Sequence, residues 1–224
     1  HQYSVEAIGF AGPDIDAELI AVGARLWKRL GIDRVALEIN SLGTAESRRA
    51  YRALLIDYFR GHEAQLDADS RRRLEGNPLR ILDSKNPDMQ AIIAAAPSLA
   101  DHLDAESNDH FAELRARLDA LGIRYTVNPR LVRGLDYYSR TVFEWITDAL
   151  GSQNAICSGG RYDGLISQLG GDATPAIGFA LGVERVVALV EQAGTAAALP
   201  GADVYLIAQG AAAERAALVH AEAL

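Results

Sequence analysis

The sequence predicts an α+β fold: a mostly antiparallel sheet with flanking helices, interrupted by a helical insertion. Three observations carry this expectation. Period-two alternation occurs before residue 43 and returns after residue 122; the stretch between them is helical in pattern; and the later strands are separated by hairpin-scale gaps, which suit antiparallel neighbours.

Taken in order, Gln2 to Phe10 alternates, with Gln2, Ser4 and Glu6 on one face and Tyr3, Val5 and Ala7 on the other, the mark of a half-buried strand. Gly12-Pro13 breaks it, Asp14 is placed to cap, and Leu19, Ile20, Val22, Leu26 and Leu30 recur at helical spacing until Gly31. A second strand, Val35 to Asn40, turns Val35, Leu37 and Ile39 inward and Glu38 and Asn40 to the opposite face. From about Thr44 to Gly122 the chain is rich in Arg, Asp, Ala and Leu and is punctuated by Gly61, Gly76-Asn77-Pro78, Asn86-Pro87 and Pro97, which reads as a series of helices.

Strands return at Tyr125 to Val127, Thr141 to Thr147 and Ala155 to Cys157. Ser158-Gly159-Gly160 reads as a glycine-rich turn leading into a helix from about Tyr162 to Leu169. Ala176 to Leu181 is a short apolar strand, and Gly182 passes directly into a helix carrying Val183, Val186, Val187, Leu189 and Val190. Ala193 to Gly201 has linker composition, and Val204 to Ala208 with the Ala-rich helix behind it would open a further unit of βα type.

With 224 residues, 49% hydrophobic and 23% charged, the chain has a globular composition and room for a sizeable core, which excludes disordered and fibrous classes. A single cysteine, Cys157, permits neither an internal disulfide nor a cysteine zinc cage, so a reducing, cytoplasmic compartment is expected. No run approaches the ~18 apolar residues of a membrane span and no basic leader precedes an apolar stretch, so no membrane partner is expected. The net charge of -8 argues against a generic cationic nucleic-acid coat. Between Thr44 and Arg80, however, eight arginines face six acidic residues, which fits either a local basic surface for nucleic acid or a solvated helical face. His1 in place of an initiator Met, and Leu224 inside an uncapped helical pattern, lead to the expectation of a segment of something longer.

No GxGxxG follows a strand, and neither GxxxxGK[ST] nor HExxH occurs. The five histidines show no metal-ligand spacing, so surface or packing roles are expected and no metal ligands are assigned. Leu131 to Tyr138 is more informative. Arg133, Asp136, Tyr137 and Tyr138 on a glycine-containing loop supply fixed polar groups for a small substrate, or else form a turn with a surface ion pair and two packed tyrosines. Ser158 to Leu165 allows a close backbone approach to a ligand, or simply turns the chain. Gly178 to Arg185 places an arginine in the first turn of a helix, where the macrodipole disfavours a cation, as expected if Arg185 serves a polyanion.

Together and in this order, these segments resemble the histidyl-tRNA synthetases, class II enzymes that charge tRNA with histidine. Arg133 to Tyr138 resembles the first histidine-specific signature, Gly159 to Leu165 the second, Gly178 to Arg185 motif 3, and His1 to Gly9 the tail of motif 2. The resemblance extends over essentially the whole chain and implies its organisation. Residues 1–43 and 123–195 would be two parts of the catalytic domain, 44–122 the insertion, 196–202 a linker, and 203–224 the truncated start of the anticodon-binding domain. Motif 1 and the ATP-binding arginine of motif 2 are missing, so the segment carries part of an active site and is expected to be inactive alone.

The resemblance further implies roles. Gln2 matches the glutamine that meets the histidine α-amino group, Glu6 the glutamate on the imidazole, Tyr138 the tyrosine on the ring's other side with Tyr137 beside it, and Tyr162 a residue lining the histidine pocket. Arg133 matches the catalytic arginine between substrate carboxylate and ATP α-phosphate, and Arg185 the motif 3 arginine on ATP. A carboxylate and a hydroxyl suit imidazole because its two nitrogens offer two hydrogen-bonding sites. The implied substrates are L-histidine, ATP with Mg2+, and tRNA(His), in a homodimer. The alternative of a different class is the synthetase-like regulatory subunit of ATP phosphoribosyltransferase, in which degenerate signatures and no anticodon domain are expected; the intact Arg-Gly-Leu-Asp-Tyr-Tyr run and Arg185 favour the enzyme.

Overall fold

The computed structural model describes residues 1–132, 137–151, 154–195 and 204–223. Among these, six strands, β1 (Gln2–Ile8), β2 (Ala36–Ser41), β3 (Thr126–Val127), β4 (Ser139–Ile146), β5 (Ala155–Arg161) and β6 (Ala176–Gly182), form one sheet in the order β1-β6-β5-β4-β2-β3. Every neighbouring pair is antiparallel except the short β2–β3 pair. The helices are α1 (Pro13–Leu30), α2 (Ala45–Arg60), α3 (Ala68–Arg73), α4 (Leu79–Leu82), α5 (Gln90–Ala94), α6 (Ala105–Ala120), α7 (Leu165–Gln168), α8 (Val183–Gln192) and α9 (Ala211–Ala223). This is the α+β fold with a mostly antiparallel sheet that the sequence predicts.

Strand pleating divides the molecule into two cores. On one face Ile177, Phe179, Leu181, Cys157, Phe143, Trp145, Leu37 and Ile39 pack against Ile20 and Trp27 of α1, Leu114 and Leu118 of α6 and Leu189 of α8. On the other face Val142 joins a second cluster built by the inserted helices, including Tyr51, Leu55 and Phe59 of α2, Ile81 of α4 and Ile93 of α5. Val142 and Phe143 are neighbours in β4 yet belong to different cores, so the inserted helices cover one end of the sheet's second face and leave the β1–β6–β5 end open. Helix α6 lies within the 44–122 stretch but packs on α1 in the first core.

Several local expectations are corrected. Helix α1 starts from Gly12 as N-cap with Pro13 in its first turn, and Asp14 sits inside that turn without capping it. Ser158-Gly159-Gly160 is no turn: all three lie inside β5, and neither glycine has a positive φ. They are glycines because nothing larger fits. A Cβ on Gly159 would come within 2.7 Å of Phe179 Cβ and 2.8 Å of Phe143 Cζ on one face, and one on Gly160 within 2.8 Å of Tyr138 Cδ1 and 2.9 Å of Val142 Cγ1 on the other. The helix expected from Tyr162 shrinks to Leu165–Gln168, since the Tyr162 N–H continues the strand pairing by donating to Ala176 O at 2.8 Å. Val204 to Ala208 forms no strand; a strand needs a hydrogen-bonding neighbour, and these residues are largely exposed with no pairing among the described residues. The expected linker, from residue 196, lies outside the described residues.

One carboxylate starts two helices. Asp104 is the N-cap of α6, accepting from Ser107 N at 2.8 Å, and it also accepts from Ser47 Oγ at 2.5 Å and Thr44 Oγ1 at 3.0 Å at the start of α2. These hydrogen bonds outweigh burial and hold its carboxyl below the usual range. A depressed folded-state pKa means stability present above the unfolded value and lost as pH falls through the folded one. Asp104→Asn should therefore melt below the parent at pH 7, and the gap should narrow as pH falls below about 4, because the amide has no charge to lose. Asp104→Ala should cost about 1–2 kcal/mol at pH 7, and thermal melts across pH check both.

Candidate active site

The open end of the second face is floored by small residues. Strand register sets Gln2 opposite Gly182, Ser4 opposite Ala180 and Glu6 opposite Gly178, and then Ala180 opposite Ser158 and Gly178 opposite Gly160. Because pleating sends alternate residues to one face, Gln2, Ser4 and Glu6 stand beside a strip of glycine, alanine and serine that has no bulk to fill the space above it. The result is a cavity of about 550 Å³ whose lining includes Gln2, Glu6, Tyr137, Tyr138, Tyr162 and Arg185. Six of the seven residues to which the resemblance gives roles thus meet in one place. Arg133 lies outside the described residues.

Within the cavity, the Tyr162 hydroxyl donates to Glu6 Oε2. Burial first, then this hydrogen bond and the Glu6 charge, push the phenol above its ordinary value, so Tyr162 remains a donor at neutral pH. Tyr137 lies tilted against Tyr138 with ring centroids 4.6 Å apart and meets Tyr162 edge-on at 5.8 Å, giving a cluster of three phenols of which Tyr162 reaches the carboxylate. Gly178 permits this arrangement, since a Cβ there would overlap the Glu6 carboxylate. Arg185, in the first turn of α8, donates from Nη1 to Ala155 O at 2.7 Å, which fixes its guanidinium at the cavity wall.

Sequence reasoning missed the support beneath these groups. Asn40, placed on the face away from the first core, is 4% exposed and donates from Nδ2 to Leu131 O at 3.1 Å. Glu38 accepts from Asn128 Nδ2 at 2.7 Å. Both clamp the stretch leading into residue 133 onto β2. Polar residues on the covered face of an apolar strand were the available signal, because such groups are buried only with partners. A cavity of about 620 Å³ at the far edge, lined by Asp33, Arg34, Ile146 and Asp148, holds none of the residues singled out from the sequence. Among the described residues, no three His, Cys, Asp or Glu side chains gather as a metal cage, and no helix is long and apolar enough to cross a membrane.

Residues 1–186 match the family model for histidyl-tRNA synthetase, and the chain belongs to that family. It is 58% identical over its full length to a histidine–tRNA ligase of Dechloromonas aromatica and 56% identical to one of Neisseria gonorrhoeae, covering 52% of each. The chain thus spans about half the length of the curated relatives it matches. Its structure resembles the apo Staphylococcus aureus histidyl-tRNA synthetase, with a TM-score of 0.70 and 34% identity over 99% of this chain and 55% of that one. A Bacillus halodurans ATP phosphoribosyltransferase regulatory subunit/histidyl-tRNA synthetase shares the fold at a TM-score of 0.54, with 22% identity over 84% of this chain and 53% of that one.

Proposed function

We propose that this chain supplies part of the active site of a cytoplasmic histidine–tRNA ligase, which activates L-histidine with ATP and transfers it to tRNA(His). The observation that carries the reading is the Glu6–Tyr162 pair beside Tyr137 and Tyr138 in a cavity of about 550 Å³. An imidazole N–H finds an acceptor in Glu6, and a phenol of the same corner serves its second nitrogen. Gln2, further along β1 on the same face, takes the α-amino group. Arg185 lies toward the nucleotide, and Arg133 joins the histidine carboxylate to the α-phosphate of ATP.

The chemistry asks for little covalent help. The histidine carboxylate attacks the α-phosphorus, pyrophosphate leaves, and a terminal ribose hydroxyl of the tRNA then takes the histidyl group from the adenylate. Two anions must be held together while charge grows on phosphate oxygens, so positioned cations matter most. Mg2+ belongs here with the substrate ATP: it keeps water and phosphate oxygens as most of its ligands and needs no cage of protein carboxylates. The inserted helices, with their arginines, form a tRNA-facing surface, residues 203–224 begin an anticodon-binding domain, and the full-length protein is a homodimer. The domain boundaries are those given by the resemblance above.

The test is pyrophosphate exchange by the full-length protein with histidine and, separately, with other amino acids. Exchange dependent on histidine supports the reading, and its absence in favour of partner binding alone would return the regulatory-subunit alternative. Within that assay, Glu6→Gln should weaken histidine binding more than ATP binding, because an amide mispaired against a buried imidazole costs about 1–3 kcal/mol. An unchanged histidine KM with a raised ATP KM would assign Glu6 elsewhere.

A further inference from the structure

Behind the cavity, on the opposite face of the sheet, lies a buried charge cluster; its Arg161 and Asp163 fall within Gly159 to Leu165, yet the proposed chemistry gives them no part. Arg161 and Asp16 have side chains with 0% exposure, and they pair at 2.6 Å between Nη2 and Oδ1. His110 of α6, 6% exposed, stands 2.8 Å from the other oxygen, Asp16 Oδ2. All five N–H groups of Arg161 find acceptors. Nε meets Asp16 Oδ1 at 3.1 Å, Nη1 meets Phe10 O at 3.0 Å and Asp163 Oδ1 at 2.9 Å, and Nη2 meets Gly12 O at 2.9 Å in addition to Asp16. Asp163 Oδ1 also accepts from Ala176 N at 3.1 Å.

The groups joined in this way are not scattered. Phe10 and Gly12 follow β1, which carries Glu6; Arg161 immediately precedes Tyr162; and Ala176 opens β6, which carries Gly178. The guanidinium, with Asp163 reaching Ala176, therefore ties together the ends of the three strands that bring Glu6, Tyr162 and Gly178 to the carboxylate–phenol corner. Strand β1 needs this most. It is an edge strand of the described sheet, paired only to β6, so its register and height have one neighbour to hold them.

A buried ion pair is weak evidence for stability, since well-packed apolar residues often do as well. Its planar, five-donor geometry is better evidence for placement. We propose that Arg161, held by Asp16 and His110 and extended by Asp163, is the positioning residue for histidine selection: from behind the sheet it sets the Glu6–Tyr162 spacing that the imidazole must match. This rests on the histidine reading of the cavity.

The experiment uses the full-length protein in pyrophosphate exchange, with active-site concentration titrated and thermal melts run in parallel. Arg161→Lys keeps the charge beside Asp16 but, with three donors on one atom, cannot reach Phe10 O and Gly12 O while serving both carboxylates. It should raise the histidine KM about tenfold or more while the ATP KM stays within about twofold. Asp163, at 28% side-chain exposure, gives a variant pair that does not depend on refilling the core. Asp163→Ala should raise the histidine KM several-fold, and Asp163→Asn, which keeps an acceptor for Ala176 N and Arg161, should restore most of it. Folded variants with an unchanged histidine KM, or with both KM values rising together, overturn the proposal and leave the cluster structural. If Arg161→Lys does not fold, the Asp163 pair decides by the same criterion. Absence of histidine-dependent exchange in the unaltered protein instead overturns the reading of the cavity, and this inference with it.

Discussion

Gly178→Ala in the full-length protein should weaken histidine binding about 10- to 100-fold while leaving ATP binding and thermal stability nearly unchanged. Gly178 is the register partner of Glu6, and an added Cβ would overlap both Oε2 and Cδ of that carboxylate. Glu6 is exposed at the cavity and its side chain can swing away, so the sheet itself need not yield. The displaced carboxylate loses the Tyr162 hydroxyl and its place against the imidazole, and a charge-assisted hydrogen bond is worth about 1.5–3 kcal/mol. Folding should not suffer, because Gly178 has no positive φ and alanine removes backbone freedom from the unfolded chain. Gly159→Ala is the contrasting control: its Cβ would press on Phe143, Phe179 and the Gly178 carbonyl, and overpacking of this kind costs about 1–3 kcal/mol of stability. Histidine and ATP KM values together with melting curves separate the two glycines. A Gly178→Ala protein with normal histidine KM would mean that Glu6 does not read the substrate.

Arg133→Lys should slow adenylate formation about 10²- to 10³-fold, by analogy with the loss of an oxyanion donor, and weaken histidine binding far less. A planar guanidinium meets the amino-acid carboxylate and the α-phosphate through separate N–H groups; one ammonium keeps the charge but cannot span both. If the bridge strengthens as charge moves onto phosphate oxygens, its loss falls on the chemical step. Arg133 itself lies outside the described residues, but the stretch leading to it is anchored, with Leu131 O held by Asn40 and Asn128 held by Glu38. A functional loop on a clamped base is how a rigid sheet presents a reacting group. Single-turnover adenylate formation beside equilibrium histidine binding separates the effects, and a lysine variant with a near-normal chemical rate removes Arg133 from the catalytic role.

Much of this protein was legible in the chain itself because the signals are local. Period-two alternation placed Gln2 and Glu6 on one face of β1, and helical spacing found α1 and α8. Where the reading failed, the deciding forces were not local. Gly159 and Gly160 look like turn residues in sequence, yet their identity is set by Phe143, Phe179, Tyr138 and Val142, which reach β5 from both faces only after the sheet has formed. Asp14 looks like a cap, but the chain leaves β1 through Gly12-Pro13 and starts α1 before Asp14 can serve.

Asp16 shows the boundary between the two kinds of information. It shares a helical stripe with Ile20 and Trp27, so the sequence marks a carboxylate on a buried face, and burial of a charge demands a partner. Which partner is supplied from 145 residues away, where Arg161 arrives on β5. The sequence by itself determined the strand and helix periods and the face on which each candidate residue stands, because side-chain direction follows from backbone repeat. Only the tertiary structure decided which of those residues share a cavity, which glycines are required by packing, and which buried charges are paired, because these depend on long-range contacts that exist only once the strands have assembled.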